Sequence, residues 1–249
     1  MKILNILSVC LILLLYSVVS SCDSTPFSDK DFEVNGVKFR MIAVEGGSYM
    51  MGATPGQGED ARENEKPAHK VTVDDFYIGE TEVTQELWFA VMGNNPSLNP
   101  SDQGNYPVEN VSWKNVQVFI TKLNDITGQQ FRLPFEEEWE YAARGGKNTT
   151  DKKYAGSDDI GEVAWYNENS NDKTHAVASK KANELGIYDM SGNVWEFCEL
   201  SSDVSICNIR GGSVGNKAQF LRTSSRYHLQ TKVKNYSVGF RLILDILNN

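Results

Sequence analysis

The chain has 249 residues, of which 40% are hydrophobic and 23% are charged, and its formal net charge at pH 7 is −9. This length is enough for one well-packed domain. Because nucleic-acid binding depends on lysine and arginine side chains that neutralise phosphates, the acidic balance argues against nucleic acid as a partner.

The N-terminus predicts export. Lys2 precedes a long apolar run that ends in small residues before Cys22, which is typical of a signal peptide over residues 1–21. The stretch from Val18 to Cys22 resembles a lipobox, in which the cysteine becomes the lipidated first residue of the mature chain. A plain signal peptide or an uncleaved anchor is the alternative. We therefore expect a protein of the bacterial cell envelope that is lipid-anchored at Cys22. Without Lys2 it keeps 23 of the 24 basic residues and all 33 acidic ones, a formal charge of −10.

A tether and several short strands are predicted next. Residues 23–36 are polar and contain proline and glycine, so we assign residues 22–38 to a tether between the lipid and the domain. Strand-like runs follow at Phe39–Val44, Gly47–Met51 and Val71–Ile78. No later apolar run is long enough to cross a bilayer.

Capping residues and apolar spacing predict three helices. The first begins after Thr84 and ends at Gly93, and the second covers Ser112–Thr127. A shorter third helix lies between Pro134 and Gly145, with three glutamates in its first turn, where the helix dipole favours acidic side chains.

The second half of the chain is dense in turn residues and has only short apolar runs. Two cysteines, Cys198 and Cys207, lie nine residues apart in this half. In an exported chain such a pair can form a disulfide, and two buried free thiols are an equally good alternative.

Eight stretches follow one another along the chain, and three of them are longer than ten residues. They are GGSYMMG at 46–52, YIGETEVTQELW at 77–88, PVENVSW at 107–113, RLPFEEEWEYAARGG at 132–146, AWYNENS at 164–170, LGIYDMSGNVWEF at 185–197, RGGS at 210–213 and VGFRL at 238–242. In this order they resemble the formylglycine-generating (sulfatase-modifying factor) enzyme family, over about residues 39–244.

The resemblance implies a fold. It is an α+β, irregular and loop-rich single domain, related to the C-type lectin fold, over residues 39–244, with a short tail at 245–249. Three helices and a turn-rich second half are consistent with this expectation.

The resemblance also implies an activity, which depends on particular residues. The enzymes oxidise a substrate cysteine with a copper ion held by two cysteines beyond the Gly-Gly-Ser corner. Here these positions fall at Asn216 and Leu221, and no cysteine follows Cys207. Monovalent copper prefers soft thiolate ligands, whereas an amide is a hard ligand and leucine has no ligand atom. We therefore expect no copper and no formylglycine-generating activity.

A related iron-dependent enzyme branch, the sulfoxide synthases, is also not expected. Its iron ligands are three histidines that lie largely in a separate helical domain. The three histidines of this chain, His69, His175 and His228, have no helical ligand spacing, so each is interpreted as a surface or loop residue.

A structural calcium ion is the one metal that the resemblance implies here. In the stretch DMSGNVWE, the family's ligands correspond to the side chains of Asp189 and Glu196 and the backbone carbonyls of Gly192 and Val194. Oxygen ligands of this kind suit Ca²⁺. The alternative is a turn whose acidic side chains face water.

The cleft that is the active site in the enzymes becomes the candidate ligand-binding site. We expect Asn216, Phe220, Leu221, Tyr227 and His228 to form a shared, partly exposed surface. Arg241 and Leu242 are expected to be scaffold. The full candidate set is Asn216, Lys217, Gln219, Phe220, Leu221, Arg222, Tyr227 and His228. Trp165, Tyr166 and Trp195 are candidate walls, although aromatic side chains in this fold are more often core.

The segment between the RGGS corner and the GFRL strand, Val214–Val238, also resembles the variable region of lipoproteins that are targets of diversity-generating retroelements. An ordinary loop that has lost its catalytic pair is the alternative. The leading functional hypothesis is a non-catalytic envelope lipoprotein that binds a protein or glycan ligand. An enzyme with unrecognised chemistry and a structural component of an envelope complex are the competing hypotheses.

Overall fold

The computed structural model of the protein describes residues 27–200 and 205–246. The signal peptide predicted at 1–21 and the lipidation site predicted at Cys22 lie outside the described residues. Within the two described ranges, no helix has both the length and the apolar character needed to cross a membrane.

The described residues form eleven short strands and four α-helices. In chain order these are β1 (Lys30–Val34), β2 (Val37–Val44), β3 (Gly47–Met51), β4 (His69–Val73), β5 (Phe76–Gly79), α1 (Gln85–Met92), α2 (Trp113–Thr127), β6 (Phe131–Arg132), α3 (Glu136–Ala143), α4 (Ile160–Val163), β7 (Trp195–Phe197), β8 (Ile206–Arg210), β9 (Arg226–Gln230), β10 (Val238–Gly239) and β11 (Ile243–Leu244). The α+β, loop-rich fold class is confirmed.

The strands form three sheets. A five-stranded antiparallel sheet has the order β1-β2-β5-β11-β6, and a four-stranded sheet has the order β10-β7-β8-β9. In the second sheet β10 runs parallel to β7, and the remaining neighbours are antiparallel. Strands β3 and β4 form a separate antiparallel hairpin. The C-terminal strand β11 lies between β5 and β6, so it joins β6 to the rest of the first sheet.

The three predicted helices are confirmed, because the residues that cap them act locally. The Thr84 hydroxyl accepts a hydrogen bond from the Leu87 N–H at the start of α1, and Gly93 ends this helix in the left-handed conformation. Ser112 caps α2 in the same way, and Gly128 ends it.

Two boundaries predicted from the sequence are wrong. Lys30–Val34, assigned to the tether, is a strand that pairs with β2 along its whole length, and Val34 is buried in the core. The single strand expected at Val71–Ile78 is two strands separated by Asp74 and Asp75, because β4 pairs with β3 whereas β5 pairs with β2 and β11.

Helices α1 and α2 pack on the main hydrophobic core. The rings of Trp88 and Phe119 stack with centroids 5.1 Å apart, and Phe240 meets Phe119 edge-on at 5.3 Å. Phe240 lies just before β11, so this aromatic cluster ties the C-terminal segment to both helices.

The two cysteines do not form a disulfide, and both are buried free thiols. Phe197 pairs with Ile209 across strands β7 and β8. Cys198 and Cys207 pack in different hydrophobic clusters, so their side chains cannot meet. Burial raises the pKa of both thiols, to about 11 for Cys207.

Candidate functional site

The RGGS corner connects strand β8 to the candidate site. Gly211 and Gly212 have φ angles of +91° and +76°, which favour glycine. A side chain on Gly212 would place its Cβ only 2.7 Å from the Cγ of Leu221. The corner therefore needs glycine both for its backbone conformation and for the close approach of Leu221.

Ser213 and Asn216 fix the start of the segment beyond the corner. The side-chain oxygen of Asn216 accepts hydrogen bonds from the Ser213 N–H at 3.1 Å and from the Ser213 hydroxyl at 2.6 Å. Asn216 is partly exposed. This bonding leaves the Asn216 NH₂ group without a partner among the described residues, so it can donate outward.

Leu221 does not lie on the predicted surface. Its side chain is fully buried, in a cluster with Tyr154, Val163 and Ala164. The short 3₁₀ turn at Ala218–Phe220 brings Leu221 beneath Gly212. The expectation that Leu221 contributes to a binding surface is therefore wrong, because hydrophobic burial decides its position.

The prediction that Arg222 contributes to the binding surface is also wrong. Its guanidinium is fully buried and donates to both oxygens of Glu65, each at 2.6 Å. It also donates to the backbone carbonyls of Gln219 and Asp60. A buried arginine that is paired in this way is part of the scaffold.

Phe220, Tyr227 and Trp195 form the aromatic part of the site. The Arg62 guanidinium carbon lies 4.2 Å from the centroid of the Phe220 ring and 5.9 Å from that of Tyr227. Tyr227 is 52% exposed and lies 6.2 Å, centroid to centroid, from the nearly buried Trp195. Arg62 therefore links the turn to strand β9 through two cation–π contacts.

We use the term cleft face for the surface formed by Trp195, Asn216, Phe220, Tyr227 and Tyr236. Lys217 and Gln219 are exposed on the turn beside it.

His228 does not share the cleft face. It follows Tyr227 on β9, where successive side chains point to opposite sides of the sheet. Its Nδ1 lies 2.6 Å from the Asn208 side-chain oxygen, and Asn208 donates to Glu136 on the same side. This is a correction to the expected shared surface.

The other two candidate walls lie elsewhere. The Trp165 ring stacks on His175 with centroids 3.7 Å apart, and the Lys180 ammonium lies 4.2 Å from its centroid. Tyr166 packs partly against the Leu221 cluster.

The residues expected to hold calcium come together, but with different partners. Both oxygens of Glu196 bond to Arg241 at 2.6 Å, and one also accepts from Trp139 Nε1 at 2.7 Å. At Val194 the backbone N–H donates to Glu82. Gly192 packs closely against the backbone of Trp165, because a Cβ atom at this position would lie 2.4 Å from the Trp165 carbonyl oxygen. Glu196, one of the expected ligands, is therefore paired with an arginine, and the calcium site stays a prediction.

Asp189 is the unusual member of this cluster. Its φ angle is +58°, one carboxylate oxygen accepts from the Ala178 N–H at 2.8 Å, and the other is buried without a partner. Burial raises the pKa of Asp189 to about 6, and burial together with the charges of Asp189 and Glu196 raises the pKa of Glu82. Burial therefore disfavours the ionised form of both carboxyl groups.

Across the described ranges, no group of three or more His, Cys, Asp or Glu side chains is arranged to hold a metal ion. His69 lies near the Pro67 carbonyl oxygen and His175 near that of Ser170, so each has a local partner instead.

Three members of the site were not found from the sequence. Arg62 lies in a distant loop, and nothing local indicates its contact with Phe220. Asn235 and Tyr236 fall inside the expected variable segment. The Asn235 side-chain oxygen accepts from the Ser237 N–H at 2.9 Å and from the Ser237 hydroxyl at 2.8 Å. The Asn-Tyr-Ser stretch is typical of such an Asx turn and could have indicated it.

Comparison with protein families gives one match that spans the described domain. A model of the sulfatase-modifying factor enzyme 1-like domain matches residues 30–246. Chaperone protein LppX of Paenibacillus barcinonensis is 33% identical over 208 residues, which is 64% of this chain and 70% of that protein. The formylglycine-generating enzyme of Streptomyces coelicolor is 27% identical over 220 residues, 63% of this chain and 67% of the enzyme.

A solved structure named Treponema denticola variable protein 1 has the same fold. It superposes with a TM-score of 0.77 and 31% sequence identity, over 87% of this chain and 98% of that one. The chain also matches serine/threonine-protein kinases of Chlamydia trachomatis and Chlamydia caviae, but it spans only 38% and 37% of their lengths.

Proposed function

This chain belongs to the family of sulfatase-modifying factor enzyme 1-like domains, and from that premise we propose that it is a non-catalytic binding protein of the bacterial cell envelope. One observation carries the proposal. The positions where the family resemblance places the two copper-binding cysteines hold Asn216, whose oxygen is bonded to Ser213, and Leu221, which is fully buried. Neither residue can supply a thiolate to a metal.

The cleft face supports the binding part of the proposal. Tyr227 and Tyr236 are 52% and 53% exposed, and Phe220 is partly exposed beside them. Aromatic side chains with a polar end are enriched where proteins bind ligands, because they bury a large area and still offer a hydrogen bond. The relative named variable protein has the same scaffold, which is consistent with a face that changes while the fold is kept.

Lipid anchoring at Cys22 is part of the same proposal. It rests on the lipobox-like stretch and on the position of strand β1 at Lys30, which leaves only residues 23–29 between the anchor and the fold. Cys22→Ala should release the protein from membranes, since a domain with excess negative charge has no attraction to an anionic bilayer. Retention of that variant in the membrane pellet after a carbonate wash would contradict the anchor.

An oxygen-consumption assay tests the catalytic part. The full chain is incubated with copper and a cysteine-containing sulfatase peptide, and oxygen uptake is compared with that of buffer and of an active formylglycine-generating enzyme. We expect uptake equal to the buffer control. Peptide-dependent uptake above that control would make the protein an enzyme and reject the proposal.

A binding assay tests the remaining part. Purified full-length protein in detergent is titrated onto envelope fragments from its own bacterium, and the bound amount is compared for the wild type and a Tyr227→Ala/Tyr236→Ala variant. We expect saturable binding that the double substitution removes. Equal binding of the two proteins would exclude the cleft face as the binding site.

A further inference from the structure

A small cavity opens at the cleft face. It has a volume of about 200 Å³, and its lining includes Trp195, Asn216, Tyr227, Asn235 and Tyr236. Sites for drug-sized ligands have volumes of about 300–1,000 Å³. This cavity therefore suits a single ring-sized group at the end of a larger ligand.

The cavity is electrically neutral. No described residue that lines it has a charged side chain, although 23% of the residues in the chain are charged. A charged ligand would lose hydration in this cavity and find no opposite charge among the residues that line it, since Arg62 lies outside the lining and stacks on Phe220. The lining therefore selects a neutral group.

Aromatic rings provide the walls. The hydroxyl of Tyr236 lies 3.7 Å from where a Cβ on Gly215 would stand, so Tyr236 reaches over the segment beyond the corner. Tyr227 lies on strand β9, and its ring centroid is 6.2 Å from that of Trp195. Ring faces of this kind pack against the C–H faces of a saturated ring, and neither tyrosine hydroxyl bonds to another described residue, so both can bond to a ligand.

Two amide groups in the cavity lining have the same internal arrangement. Asn216 uses its oxygen for the N–H and hydroxyl of Ser213, and Asn235 uses its oxygen for those of Ser237. A backbone N–H requires an acceptor, so these bonds fix which end of each amide is oxygen. Neither NH₂ group has a partner among the described residues, so both are held as donors without a bond to the fold.

We propose that the cavity binds a neutral sugar residue of an envelope glycan. The inference rests on the proposed binding function and specifies its ligand class. A sugar has C–H faces for the aromatic walls and hydroxyl oxygens that accept from the two amide groups. An apolar peptide side chain would fill the same volume but leave both donors unpaired, which is unfavourable in a desolvated site.

Saturation-transfer NMR on the full-length protein in detergent provides the test. The probes are neutral disaccharides (cellobiose, maltose and N,N′-diacetylchitobiose), with glucuronic acid and glucosamine as charged comparators. We expect saturation of ring protons for at least one neutral disaccharide and none for the charged sugars.

Substitutions that keep each amide oxygen and remove only the donor make the test specific. Asn235→Asp retains an acceptor for Ser237 but replaces the NH₂ group with a charged oxygen. We expect it to weaken sugar binding at least tenfold, and Asn216→Asp to do the same. Asn94→Asp is the matched control: its oxygen accepts from Trp88 Nε1 at 3.3 Å, and it lies outside the cavity.

The outcomes separate this inference from the proposed function. Absence of transfer to every neutral disaccharide, or equal affinity in wild type and Asn235→Asp, would overturn the sugar assignment. If envelope binding still depends on Tyr227 and Tyr236 in that case, the binding function stands and its ligand is another class, such as a peptide. Competition of envelope binding by the disaccharide would confirm both.

Discussion

The cleft face and a set of three buried arginines come from the same C-terminal part of the chain, but they are built in opposite ways. We call the second region the arginine layer. It consists of Arg210, Arg222 and Arg241, all fully buried, and their partners Glu140, Glu65 and Glu196. The cleft face has no charged side chain among the described residues that line its cavity, and it presents exposed tyrosines.

This difference shows how the fold separates structure from recognition. Each buried arginine binds a carboxylate that is 45 to 157 residues away in the chain, so the pairs hold distant segments in one position. A buried charge that loses its partner costs several kcal/mol, roughly 3–5, so these ion pairs constrain the residues of the arginine layer. Exposed side chains have no such constraint, so the cleft face can change without loss of the fold.

The strongest way to break the comparison is to remove one arginine of the layer. Arg241→Met leaves Glu196 as a buried charge whose only remaining side-chain donor among the described residues is Trp139. We expect the free energy of unfolding in urea to fall by about 3–5 kcal/mol.

Two controls identify the cause of that loss. The double variant Arg241→Met/Glu196→Gln removes both charges and should recover part of the lost stability. Arg40→Met breaks an exposed pair of the same chemistry, Arg40 with Asp31 at 2.9 Å, and should cost far less stability than Arg241→Met, because water screens the exposed pair. Similar losses in Arg40→Met and Arg241→Met would show that burial does not distinguish the arginine layer.

Gly212 in the corner and Gly215 beyond it test the difference between the buried scaffold and the cleft face without a change of charge. Gly212→Ala would place a Cβ within 2.9 Å of Leu221 side-chain atoms and the Phe220 carbonyl oxygen, at a φ of +76°. We expect a loss of about 2–4 kcal/mol in the free energy of unfolding. Gly215→Ala, three residues later, meets only the Tyr236 hydroxyl at 3.7 Å and should change stability by less than about 0.5 kcal/mol. Thermal unfolding that ranks these two variants in the reverse order would contradict this difference.

The acidic cluster beside Arg241 makes the buried region sensitive to pH. Asp189 has a pKa of about 6 in the fold against an ordinary value of 3.8, so its ionisation opposes folding. Its contribution to stability is therefore fully present below pH 4 and is lost as the pH rises through about 6. Glu82 and Glu196 face it with negative charge, and Arg241 with positive charge.

Asp189→Asn measures this contribution. The amide oxygen can still accept from the Ala178 N–H, and the NH₂ group takes the place of the unpartnered carboxylate oxygen. Compared with wild type, we expect the variant to be about 1–3 kcal/mol more stable at pH 8 and to lose the decline between pH 4 and 6. Parallel stability profiles for the two proteins would show that Asp189 is not the group responsible.

The sequence predicts the local parts of this molecule well. Thr84 and Ser112 cap their helices through bonds that reach only three residues, so one sequence is sufficient to find them. The division between β4 and β5 depends on which distant strand each one pairs with, and no pattern in Val71–Ile78 contains that information.

The candidate site was predicted less completely for the same reason. Asn216, Phe220 and Tyr227 are at least partly exposed, as expected for a surface. Leu221 and Arg222 directly follow Phe220 but are buried. Their surroundings come from Gly212 and from Glu65 in another part of the chain. Distance along the sequence does not show which side of a turn faces the core.

The two exposed tyrosines of the cleft face provide the most informative test of the comparison. Tyr236→Ala removes a side chain that is 53% exposed and has no hydrogen bond or ring contact among the described residues. Tyr227→Ala removes one ring contact with Trp195 and a distant one with Arg62. We expect each to change the free energy of unfolding by less than about 1 kcal/mol, measured by urea unfolding at pH 7.

If either tyrosine substitution costs as much stability as Arg241→Met, the cleft face is part of the scaffold and its exposure does not indicate recognition. If both are neutral for folding but needed for envelope binding, these exposed rings are kept for a ligand, because packing alone gives the chain no use for them.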